Sequence, residues 1–275
     1  MLSISYGRMG RNGIILAMGA ALLIAAPDPG FAASPYRIER DREWTVIGTG
    51  LALGLTGLWM VTRTEPLGID ELDQLDLNDV NGFDRGRVEP LRDDHAGDAL
   101  AVISYLMPLA FFAHEDTRND WQDLGVMWTE ATLLNLGING VVKAAVLRPR
   151  PYAYDPDVPM DKRTSRGARF SYYSGHTASA AMNSFFVAQV FSDYLDNGNV
   201  EAALWAGAVL YPVAAGFFRV DSGHHFTTDA ITGYVIGAAI GVLVPRLHRH
   251  DDKDQASLEP VMSQGGFGLG LSFAF

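Results

Sequence analysis

No cysteine occurs among the 275 residues, which excludes disulfides, thiolate metal sites and cysteine nucleophiles. The same absence leaves the redox compartment open, since a chain without thiols suits either. Basic residues are in deficit, with 21 Lys and Arg against 32 Asp and Glu and a net charge of −11. That balance argues against a nucleic-acid binder working through overall positive charge, and at first sight it also disfavours small anionic ligands. Period-two alternation is missing until the last nine residues, so the body of the chain reads as all-α. At 48% apolar residues the composition is that of a folded chain.

The first 33 residues read as an address. Arg8 and Arg11 precede an uncharged run from 13 to 26, followed by a Pro-rich break and small residues. This is a secretory signal pattern, with cleavage expected after Ala32 or Ala33; an uncleaved anchor is the alternative. Six apolar stretches follow, at 44–62, 98–113, 126–147, 176–191, 202–218 and 230–245. They predict an antiparallel bundle of about six helices. The expected divisions are 1–33 as signal or anchor, 34–94 as a helix with an acidic loop, 95–247 as the catalytic bundle and 248–275 as a tail. Within the loop, Asp79, Asn81 and Gly82 fall at EF-hand offsets. Leu77 and Val88, however, stand where the first Asp and the last Glu ligand belong, so a solvated loop is expected. The tail at 267–275 places its large residues on one face of a short C-terminal strand.

Three clusters carry chemistry, each at the end of a predicted helix. Lys143 and Arg150, the latter between Pro149 and Pro151, close the third stretch; Ser174, Gly175 and His176 open the fourth. Arg219 ends the fifth, and His225 and Asp229 open the sixth. In an antiparallel bundle these helix ends share a side. Three cations, two of them forked guanidiniums, together with a helix N-terminus make a phosphate cradle that requires no metal. If the sixth helix begins by residue 225, Asp229 can accept the Nδ1 proton of His225 and leave Nε2 free to attack phosphorus. His176 is then placed to protonate the leaving alkoxide. Taken singly, the arginines fit a surface patch, Ser174-Gly175 a turn, and His225-Asp229 a structural pair; the joint order is what is specific.

The pattern Lys143-x6-Arg150-Pro151, Ser174-Gly175-His176, Arg219-x5-His225-x3-Asp229 resembles the three-part signature of the type 2 phosphatidic acid phosphatase family. That family includes lipid phosphate phosphatases and bacterial non-specific acid phosphatases, and it is similar to vanadium-dependent haloperoxidases. The resemblance covers residues 95–247. It implies a helical bundle and metal-independent hydrolysis of a phosphomonoester or diphosphate through a phosphohistidine. His225 would be the nucleophile, Asp229 its orienting partner and His176 the general acid; Lys143, Arg150, Arg219, Ser174 and Gly175 would bind phosphate. Two positions depart from the pattern, with Tyr173 in place of Pro and Phe218 in place of Ser. The spacing selects His225 over the adjacent His224.

The expected substrate is a phosphorylated lipid or isoprenyl diphosphate at a membrane, with no nucleic-acid partner and no cofactor. Vanadate is expected as an inhibitor. The rival readings are a haloperoxidase that takes vanadate as its cofactor and a non-catalytic headgroup binder. Export to the bacterial envelope is expected, with the site facing the periplasm. Residues 143–169 hold seven bases and three acids, so the local field favours anions despite the global deficit.

Overall fold

The computed structural model describes residues 34–86 and 88–250, together with the backbone of strands at 257–263 and 266–272. The signal segment read at 1–33 lies outside the described residues. Ten α-helices occur among the described residues: α1 (Arg40–Arg63), α2 (Ile69–Leu72), α3 (Gly82–Arg85), α4 (His95–Ser104), α5 (Glu115–Asn119), α6 (Trp121–Val146), α7 (Met160–Arg163), α8 (Gly175–Tyr194), α9 (Gly198–Asp221) and α10 (Thr227–His248). Helices α2, α3, α5 and α7 are single turns. The six expected segments correspond to α1, α4 with the 3-10 turn Met107–Ala113, α6, α8, α9 and α10. The predicted C-terminal strand is β2 (Gly266–Ser272), which pairs antiparallel with β1 (Ser257–Ser263).

Helix α8 is the axis of the bundle, in contact with α4, α6, α9 and α10. Fourteen of its twenty residues are buried, on every face. Its polar side chains are satisfied by neighbouring helices: Asn183 accepts from Trp128 Nε1 at 2.7 Å and donates to Ser104 Oγ at 3.2 Å, and Ser179 meets Tyr105 at 2.9 Å. A helix wrapped in protein can carry such groups, whereas one facing lipid cannot. Around it, five segments among the described residues are long and apolar enough to cross a membrane: Arg40–Arg63, His95–Ala113, Trp121–Ala153, Gly198–Asp221 and Thr227–His248. They turn apolar side chains outward, with Leu55, Leu210 and Val235 each more than half exposed. An inner helix richer in polar groups than the outer surface is the arrangement of a membrane-associated bundle.

Two long-range pairings set the ends. Gly50 lies against Leu133 and Gly57 against Gly140, so α1 and α6 run parallel. Arg37 N donates to His248 O at 2.8 Å, which ties the start of α1 to the end of α10. The C-terminal ends of α1, α6 and α9 and the N-terminal ends of α4, α8 and α10 therefore gather at the opposite end of the bundle. The loop after α1 belongs to that end, and it is not wholly solvated as expected: Asp84 on α3 is fully buried.

Candidate active site

Helix α6 ends at Leu147, whose φ of 51° turns the chain out of the helix. Arg148 to Pro151 then run alongside 168–171, with Arg150 N bonded to Ala168 O at 2.7 Å and Ser171 N to Arg148 O at 3.0 Å. Lys143 reaches the same strip, donating to Phe170 O at 2.8 Å. Arg150 donates to Gly167 O at 3.0 Å and His224 O at 2.9 Å, with one guanidinium nitrogen 3.4 Å from His225 Nε2. Opposite, His176 Nε2 stands 2.9 Å from Asp98 Oδ1. Lys143, Arg150, Gly175, His176 and His225 thus line one cavity of about 370 Å³, with Asn139 and Asp98. Arg219 and His224 line an adjoining cavity of about 640 Å³, which shares Arg150 and Asp98 with the first.

Behind His225 lies Asp229, fully buried. Helix α10 begins at Thr227 after its N-cap Phe226, so His225 precedes it, and Asp229 in its first turn accepts from Phe226 N at 2.9 Å. Its Oδ2 is 3.5 Å from His225 Nδ1, too long for the hydrogen bond expected from helical spacing. Ser171 and Arg148 hold the same carboxylate at 2.5 Å and 2.6 Å. Ser174 is not brought to the cavity. Its hydroxyl caps α8, accepting from Thr177 N at 3.4 Å, and its amide donates to Asp229 O at 3.0 Å. The loop beyond α9 places His224 outward, its Nδ1 2.9 Å from Ser222 Oγ, which leaves His225 as the inner imidazole.

Burial and the facing cations penalise imidazolium throughout. Burial first, then Arg150, Lys143 and Arg219, hold His225 well below its ordinary range. Burial, then Arg219, Arg150 and Lys143, lower His176 to about 3, and burial, then Arg219 and Arg150, lower His224 to about 4.

The family model of the PAP2 superfamily matches residues 125–252, which contain all three clusters. Over those residues the chain is similar to the PAP2 superfamily. Phosphatase chemistry is the general activity that accompanies it. Among solved structures, the chain is similar to a transmembrane PAP2-type phosphatidylglycerolphosphate phosphatase from Bacillus subtilis, at 18% identity over 86% of this chain and 92% of that one, with a TM-score of 0.42. No curated protein matches.

Several residues of this site stand outside the three sequence clusters. Arg148, one of the seven bases at 143–169, joins Asp229 to Asp84 at 2.6 and 2.7 Å and lies 4.2 Å over the Phe226 ring. Asp84 also accepts from Thr228 N at 2.9 Å and Asn81 Nδ2 at 2.7 Å. Burial raises its pKa, but these bonds and Arg148 outweigh that and hold it below the ordinary carboxylate range. Asp94 caps α4 and pairs with Arg219 at 2.9 Å, while Asp98 reaches Arg219 at 3.2 Å. The i,i+4 spacing of Asp94 and Asp98 signals one helix face; nothing in the sequence marks Asp84.

Proposed function

We propose that the protein hydrolyses a phosphomonoester or diphosphate of a lipid or isoprenyl chain through a phosphohistidine. The observation that carries this reading is the convergence of Lys143, Arg150, Gly175, His176 and His225 on one cavity. A phosphate seated there meets the Lys143 ammonium, the Arg150 guanidinium and the amide end of α8, with Arg219 adjoining. His225, neutral because burial and cations oppose its protonation, attacks phosphorus through Nε2. The P–O bond to the leaving group breaks, and His176 supplies the proton to the departing alkoxide. Water then attacks the phosphohistidine with His176 as base, and phosphate and neutral His225 are released. Asp229 orients the ring. The hydroxyl of Ser174 acts by capping α8, and phosphate contact from this turn falls to the Gly175 amide. No step requires a cofactor.

A lipid leaving group is supported by the cavity wall, where Ala101, Val102 and Leu136 join the polar groups. Val102 and Leu136 are 44% and 40% exposed on the outer face between α4 and α6, where an acyl or prenyl chain can lie. Replacing His225 by Ala is expected to cut phosphate release from phosphatidate, phosphatidylglycerol phosphate or an isoprenyl diphosphate at least about 1,000-fold. Orthovanadate is expected to inhibit the wild type. Full activity in His225→Ala overturns the assignment, and peroxide-dependent halide oxidation with added vanadate favours the haloperoxidase instead.

A further inference from the structure

Three buried side chains meet at the end of the bundle away from the cradle. Glu43 lies in the first turn of α1, Glu130 in α6, and His248 is the last residue of α10; each is at most 1% exposed. His248 Nδ1 is 2.8 Å from Val244 O. A carbonyl only accepts, so Nδ1 carries the proton, and in the neutral ring Nε2 presents a lone pair. That lone pair faces carboxylate oxygens, Glu130 Oε2 at 3.1 Å and Glu43 Oε1 at 3.5 Å. Among the described residues, neither oxygen of Glu130 nor Nε2 of His248 has a hydrogen-bond partner outside the cluster. Three electron-pair donors converging in a dry interior repel one another unless a cation stands between them.

We propose that Glu43, Glu130 and His248 form a binding site for a divalent transition metal of the zinc class. Ligands at about 2.0–2.1 Å around a tetrahedral metal stand roughly 3.3 Å apart, and the two separations at Nε2 bracket that value. All three donor atoms lie within 4.8 Å of one another. One imidazole nitrogen with two carboxylates is a borderline donor set suited to zinc, cobalt or iron(II) rather than to calcium or magnesium. The supporting contacts are those of a held site. Val244 O orients the His248 ring, Arg42 holds the two Glu43 oxygens at 3.0 and 3.2 Å, and Glu39 N donates to Glu43 Oε1 at 2.7 Å. The site ties α1, α6 and α10 together where residues 35–37 cross the end of α10 through the Tyr36–Arg249 bridge and the bond from His250 N to Pro35 O at 2.8 Å.

Full-length protein in detergent, stripped with a chelator and dialysed, is titrated with Co²⁺ alone. One equivalent is expected to bind with a visible d–d absorption. Zinc-edge X-ray absorption on the zinc-loaded wild type is expected to give one imidazole nitrogen and carboxylate oxygens at about 2.0–2.1 Å. Glu130→Gln and His248→Gln are expected to weaken binding at least about 100-fold, while His225→Ala, at the other end of the bundle, leaves it unchanged. Wild-type protein that binds no Co²⁺ overturns the proposal and leaves a proton as the bridging cation. Binding that survives both variants and disappears in His225→Ala overturns it as well. No phosphatase assay enters, so the result is independent of the reading of the cradle.

Discussion

Arg148 and Asp229 brace the site without lining its cavity. Arg148 neutralises two carboxylates with no exposed surface, Asp84 and Asp229, and its guanidinium covers the Phe226 ring. Removing one partner of a buried pair strands the others' charge, at about 3–5 kcal/mol. Arg148→Met is therefore expected to lower thermal stability in detergent by about 3 kcal/mol. It is also expected to lower kcat about 10–100-fold with little change in KM, because Asp229 loses its anchor while the phosphate ligands stay. The histidines give a pH signature. His176 must be protonated to act as an acid, yet burial and the cations Arg219, Arg150 and Lys143 hold it near 3. A phosphate dianion seated among those cations cancels their field and raises the His176 pKa. The profile of kcat/KM reports the free enzyme and that of kcat the complex. Once the substrate's own phosphate ionisation is accounted for, the descending limb at rising pH is expected at higher pH in kcat than in kcat/KM. Coincident limbs would remove His176 from the acid role.

At the scale of elements, the contact between α8 and α10 positions the chemistry. Gly233, Gly237 and Gly241 form a four-residue repeat along α10 that lies directly on the α8 backbone at Ser174, Ala178 and Met182. A Cβ on Gly237 would meet the Ala178 Cα and carbonyl carbon at 2.9 Å, backbone atoms that cannot rotate aside. Because Ser174 N bonds Asp229 O, pushing the helices apart also separates His176 from His225. Gly237→Ala is expected to destabilise by about 1–3 kcal/mol and to reduce activity. Gly48→Ala, where nothing lies within 4 Å, is expected to be neutral or stabilising by up to about 1 kcal/mol; thermal unfolding in detergent compares the two. The same scale shows the limit of reading by pattern. The glycine repeat marks a close-packed face but does not name its partner. The helical register of His225 with Asp229 likewise depended on a helix start that the cap at Phe226 moves two residues later.

For the whole molecule, the parallel run of α1 and α6 has a consequence for topology. With α1 and the segment His95–Ala113 both crossing, residues 34–39 and the cradle lie on opposite sides of the membrane. Cleavage after Ala32 or Ala33, which exports residue 34, and a periplasmic cradle therefore exclude each other. A cradle facing the periplasm, as expected from the sequence, would put residues 34–39 in the cytoplasm. Lys and Arg counts do not arbitrate, because the bases near the site are engaged there. Protease added to intact spheroplasts is expected to cut within the loop at 152–173. Protection of that loop would place the cradle in the cytoplasm and the residue 34 end outside.

The six main helices, the cations and imidazoles at their ends, and the shared side of those ends were all legible in the sequence. Each depends on local periodicity, on capping residues and on the short connections between consecutive helices. Tertiary structure alone decided that Asp84, Asp94 and Asp98 enter the site, that Arg148 is its brace, and that the Ser174 hydroxyl turns away to cap its helix. It also decided that Glu43, Glu130 and His248 converge at the far end. These juxtapositions join residues tens to hundreds of positions apart. Buried charge must find a partner wherever packing brings one, and no local pattern encodes which partner that will be.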